Sequence, residues 1–110
     1  MKIVSFLKNV KFNGKKPAVS ILLETDFSKE IQIAFEKGQI MKDHKAPYSI
    51  IVQVVKGSIN FGVNGEISTL NTGDLISLDA NIVHNLTALE QSIVRLTLSK
   101  LDTLKRVEKV

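Results

Sequence analysis

Residues 49 to 70 read SIIVQVVKGSINFGVNGEISTL. Ser49 to Lys56 is dense in β-branched residues, which suit a pleated, buried surface better than a helix. Gly57 ends that run and Ser58 to Val63 begins another. Asn64-Gly65 then supplies the pair that a two-residue type I′ turn requires, because both of its central positions need positive φ. Glu66 to Leu70 returns from the turn. The stretch therefore reads as strand, strand, tight turn, strand.

The pattern extends in both directions. Upstream, Ala18 to Glu24 follows Pro17, and Glu30 to Glu36 alternates polar with apolar side chains. Thr25-Asp26-Phe27-Ser28 joins the two as a turn. Gly38 breaks the second run before Gln39 to His44. Downstream, Asn71-Thr72-Gly73-Asp74 is a turn, followed by Leu75 to Leu78, a loop around Asp79-Ala80-Asn81, His84 to Ala88, and Ser92 to Ser99. About nine or ten short strands separated by turn signals predict an all-β sandwich or barrel. Leu101, Leu104 and Val107 recur at three-residue spacing, so the last ten residues read either as a short helix or as a frayed tail.

Composition bounds the rest. The chain has 110 residues, 44% of them hydrophobic and 24% charged, as in an ordinary globular domain. One domain spanning 1–110 is expected: N-terminal strands in 1–29, a core of about 30–98, and a C-terminal tail over 100–110. With no cysteine, disulfides, thiolate catalysis and Cys-ligated metal sites are excluded. No apolar run reaches the ~18–20 residues of a membrane helix. The N-terminus lacks the pattern of a signal peptide, so a cytoplasmic location and no membrane partner are expected. The net charge is +4, carried almost entirely by lysines scattered along the chain, with arginine only at Arg95 and Arg106. A nucleic-acid reader would cluster its cations and add Arg or stacking aromatics, so the charge reads as a solvated surface with no nucleic-acid partner.

Two segments carry a resemblance. Gly38 is followed by five residues and His44, and Gly57 closes that segment. Gly73 to Ala88 places His84 after a loop in which Asp79, Asn81 and Ala88 stand where a second motif has Pro, Gly and Asn. Together these segments resemble the two motifs of the cupin superfamily, and the chain is most similar to its small single-domain members. The resemblance implies a double-stranded β-helix, or jelly-roll barrel, with an internal pocket. It also implies a homodimer. Cupins commonly hold a divalent metal on three histidines and a glutamate. Here the second histidine falls on Ala46 and the glutamate on Ile50, leaving His44 and His84 as the motif's metal ligands. Fe, Mn, Ni or Zn are the metals such a site would take.

The residues suggest several roles. His44 and His84 serve as structural pocket residues, as metal ligands, or as acid/base groups on a ligand. Ile50 in place of a carboxylate makes the pocket drier and favours an apolar ligand or a filled core. Val52 lies two residues along the same strand face. Tyr48 and Phe35 are candidates for the pocket mouth, although aromatics in small β domains are more often core. Asp43 should face away from His44, and Asp79 is the better-placed carboxylate. The doubly apolar run from Ser49 to Val55 fits a strand packed inside the barrel and against a second subunit. The expected function is a homodimeric binder of a small, partly apolar molecule. The alternative is a metal-dependent oxygenase or isomerase with a third ligand that the motif does not supply. A third reading, kinship with the sugar-sensing cupin part of transcription regulators, lacks any DNA-reading helix.

Overall fold

A computed structural model describes residues 1–110. It contains nine strands: β1 (Ala18–Glu24), β2 (Ser28–Phe35), β3 (Ile40–His44), β4 (Ile50–Lys56), β5 (Ser58–Val63), β6 (Glu66–Asn71), β7 (Leu75–Leu78), β8 (His84–Ala88) and β9 (Ser92–Ser99). One helix, α1 (Leu104–Glu108), follows them. The strands form a five-stranded sheet in the order β1-β2-β9-β4-β7 and a four-stranded sheet in the order β3-β8-β5-β6. Every pairing is antiparallel, and the two sheets face one another as a jelly roll.

The alternation visible in the sequence decides which side of each sheet meets the core. On β4, Ile50, Val52 and Val54 are buried, while Ile51 is exposed and Gln53 and Val55 are half-buried. Ile31, Ile33 and Phe35 of β2 and Val94, Leu96 and Leu98 of β9 complete the inner face of the larger sheet. Met41, Ile59, Phe61 and Leu86 answer them from the smaller sheet. The Asn64-Gly65 turn closes the β5–β6 hairpin with φ of 53° and 78°, and Val63 opposes Glu66.

The structure fixes the chain ends more closely than the sequence reading did. Within 1–29 there is one complete strand, β1, and the start of β2; residues 1–17 form none. The apolar residues near the N-terminus find no ladder partner. That segment is instead held by side chains: the Phe6 carbonyl accepts a bond from Gln32 Nε2 of β2 (3.0 Å), and the Asn13 carbonyl one from Gln39 Nε2 in the turn before β3 (2.6 Å). At the other end the spacing of Leu104 and Val107 resolves as a helix whose apolar side turns inward, with Val107 only 2% exposed.

Gly57 joins the two sheets between β4 and β5. Its φ is +112°, and a Cβ there would lie 2.2 Å from Ser92 Oγ and 2.8 Å from Ser92 Cα. Ser92 is fully buried, and its Oγ accepts the Ser58 N–H, so it has nowhere to retreat. Gly65 also has positive φ but open space around it. Gly57→Ala should therefore cost roughly 2–6 kcal/mol, adding strain to overpacking. Gly65→Ala should cost about 1–2 kcal/mol, for its left-handed backbone alone. Urea denaturation of the two variants checks the difference; equal losses would contradict the close approach.

Candidate functional site

His44 and His84 lie directly opposite each other on the paired strands β3 and β8, where a register shift separates His44 from Met41. The shift turns His44 into the barrel while Asp43 stays outside, its Oδ1 accepting from Asn85 Nδ2 at 2.8 Å. The two imidazoles are 4.2 Å apart, centre to centre, and tilted by 57°. His84 is buried and stacks on Phe61 at 5.4 Å.

Each ring is fixed by the backbone two residues upstream. His44 Nδ1 lies 2.7 Å from the Lys42 carbonyl oxygen, and His84 Nδ1 lies 2.9 Å from that of Ile82. A carbonyl only accepts, so each Nδ1 carries the proton and each Nε2 presents a free lone pair. Burial disfavours the imidazolium form and lowers both pKa values from the ordinary 6.5, that of His44 to about 4. The Nδ1 bonds oppose the shift in part, while Arg106 adds repulsion at both rings. At neutral pH the pair is uncharged.

Around the imidazoles the wall is apolar: eight of the eleven lining residues are hydrophobic, among them Met41, Ile50, Val52 and Leu86. The cavity they enclose is about 20 Å³, enough for one water. It is small because α1 lies over the barrel and Val107 fills the opening. The helix is secured by Arg106, whose Nε and Nη2 donate to the two carboxylate oxygens of Asp102 at 2.9 and 2.8 Å. Arg106 Nη1 also donates to the Lys45 carbonyl oxygen at 3.3 Å.

The structure thus brings together four of the residues singled out in the sequence: His44, His84, Ile50 and Val52. It leaves Tyr48 and Phe35 outside. Tyr48 sits on the loop after Pro47 and is 38% exposed. Phe35 lies one strand repeat beyond Ile33, which does reach the cavity, and is wholly within the core. Asp79 is exposed and lines a separate surface groove with Phe27 and Ile51. Sequence reasoning missed Arg106 and Val107. The available signal was an aspartate and an arginine four residues apart, flanked by apolar positions at helical spacing.

The donor set falls short of a metal centre that does chemistry. No group of three or more His, Asp or Glu side chains converges anywhere in the chain. Two imidazole nitrogens are one fewer than the three protein ligands such a site needs. Ala46 and Ile50 are buried where the motif has its other ligands, and the third polar group at the cavity is the Arg106 cation.

The sequence pattern of the cupin domain (Cupin_2) matches residues 32–100, the stretch that carries both histidines. The chain belongs to the cupin family. Solved structures agree on the fold. An RmlC-like cupin from Desulfovibrio desulfuricans superposes with a TM-score of 0.83 at 20% identity, covering 90% of this chain and 96% of that one. TT1209 from Thermus thermophilus gives 0.80 at 18% identity, with 90% and 98% covered. KdgF from Halomonas sp. gives 0.71 at 23% identity, with 88% and 94% covered. At these identities the likeness concerns the fold alone. No curated protein matches the chain. In this cupin no helix is long and apolar enough to cross a membrane.

The neutral imidazoles make stability depend on pH. Their folded pKa values lie below the unfolded 6.5, so below pH 6.5 the unfolded chain takes up protons that the folded chain refuses. Stability should be full above pH 6.5 and fall as the pH drops toward about 4. The lowered carboxyl pKa values of Glu24 and Glu30 act only below their ordinary 4.5. Melting curves between pH 7 and 5 should therefore slope in the native protein and flatten in a His44→Gln/His84→Gln variant. A native melting temperature independent of pH in that window would contradict the neutral pair.

Proposed function

We propose that this cupin binds a small, partly apolar molecule in the barrel, and that it does so as a homodimer. One observation carries the first part. Two uncharged imidazoles present free Nε2 acceptors at a cavity whose wall is apolar apart from them and Arg106. Such a site orients a ligand by hydrogen bonds from its hydroxyl or amide donors and holds it by apolar contact. The ligand enters where Val107 now sits, because about 20 Å³ admits no organic molecule. The test is a fragment screen read by NMR on the labelled protein, beside a His44→Ala/His84→Ala variant. Fragments that shift the signals of Val107 and of both imidazoles, and that lose affinity in the variant, support the reading. A library with no such fragment overturns it.

The metal-dependent reading, an oxygenase or isomerase using Fe, Mn, Ni or Zn, is decided by elemental analysis of the same two proteins. Near-stoichiometric metal that is lost from the double variant would establish it in place of the binding module.

Support for the homodimer comes from the outward face of the larger sheet. Ile51 on β4 and Leu75 on β7 are 41% and 61% exposed there, beside half-buried Gln53 and Val55. Large exposed apolar side chains gathered on one sheet face are what a second copy covers. Sedimentation analysis should give twice the chain mass, and Ile51→Glu should shift the species toward monomer. A native protein that sediments as monomer rejects this part.

A further inference from the structure

We propose that the ligand is an organic anion, its carboxylate held in a basic vestibule outside the two imidazoles and its apolar end reaching past them. This rests on the pocket reading above and names the chemical class that the pocket takes.

The lysines that look scattered in the sequence converge at one end of the fold. An open hollow of about 510 Å³ adjoins the barrel opening, and Lys42, Lys105 and Lys109 line it together with His44 and Arg106. His44 and Arg106 also line the inner cavity, so the two spaces share a wall. A neighbouring groove adds Lys15 and Lys16, with Lys42 common to both. The chain's three ion pairs involve Arg95, Lys100 and Arg106. None of these five lysines therefore has a carboxylate partner. The one acidic side chain in the hollow, Asp43, accepts a bond from the neutral Asn85 amide, and the lysines still outnumber it. The imidazoles, being neutral, add no charge of either sign.

Three unpaired lysines around the hollow, with two more in the groove beside it, repel one another, and an entering anion relieves that repulsion. The low-dielectric barrel wall beside them strengthens the field at the opening. A simple inorganic anion would use only the vestibule. The apolar cavity behind it is too small for an alkyl group while the isopropyl group of Val107 lines it, but its apolar wall suits one once that group withdraws. A molecule with a carboxylate at one end and a few methylenes at the other uses both compartments, its tail replacing Val107.

Hexanoate, hexanamide and hexylamine share one tail and differ in charge. Calorimetry should give hexanoate an affinity about tenfold or more above that of hexanamide, with hexylamine weakest. NMR should show hexanoate shifting Val107, His44 and His84. The Lys42→Gln/Lys105→Gln/Lys109→Gln variant changes only exposed side chains, and thermal melting confirms that it folds. It should bind hexanoate no better than hexanamide. If hexanamide matches hexanoate on the native protein while the imidazole signals move, the pocket reading survives and the anion assignment is overturned. Hexanoate that shifts lysine signals without moving Val107 or the imidazoles overturns the two-compartment ligand. If no compound binds, the anion assignment fails too, and a fragment screen without hits would then remove the pocket reading itself.

Discussion

The site depends on two hydrogen bonds from imidazole Nδ1–H to backbone carbonyls two residues upstream, at Lys42 and Ile82. Because the acceptors are main-chain oxygens, one on β3 and one in the loop that leads into β8, the tautomer is built into the backbone. Both Nε2 atoms are left unprotonated, side by side, in a space that disfavours charge. A pair of acceptors in an apolar wall is costly to leave unpaired, and a water or a ligand donor satisfies it. The arrangement of the two rings is what ligating histidines show in metal sites. In this chain the remaining ligand positions carry Ala46 and Ile50, so the same orienting bonds serve a site without a third protein donor.

The second constraint is the latch at the C-terminal end. Asp102 is a buried carboxylate, 3% exposed, and would be expensive without partners. It accepts two bonds from Arg106 and the Thr103 N–H, while its own carbonyl takes Lys29 Nζ at 2.6 Å. Those bonds tie α1 to β2 and set Val107 into the barrel opening. A helix of five residues has little stability of its own and depends on its tertiary contacts. The element that seals the cavity is thus held by a few polar bonds and the side chains of Val107 and Leu104, while the barrel beneath it is held by seven antiparallel pairings. None of those pairings includes α1.

Most of the fold was legible because alternation in an antiparallel sheet is a local signal. Ile50, Val52 and Val54 point inward for the same reason that Ile51, Gln53 and Val55 do not. The turn at Asn64-Gly65 needed no tertiary information, and the two motif histidines could be placed by spacing from Gly38 and Gly73. The closing half of the site was not legible, because Arg106 and Val107 reach the cavity through a long-range contact that no local pattern records. Tyr48 and Phe35 do not line the cavity for a related reason. Strand geometry says which face a residue occupies, but not how far along the barrel the cavity extends. Asn81 shows a substitution the physics permits. It stands where the motif has glycine and adopts φ of 66°, which asparagine tolerates better than most residues. Its N–H donates to the Ala46 carbonyl at 2.7 Å, tying the two motif loops together.

Everything proposed for the pocket turns on His44 and His84 being a neutral pair with both protons on Nδ1. Long-range nitrogen–proton NMR of the imidazole rings at neutral pH tests this most directly, because the two nitrogens of a neutral ring have distinct shifts. Both rings should show a protonated Nδ1 and an unprotonated Nε2. A proton on Nε2 of either ring, or an imidazolium signal from either, would contradict the neutral pair.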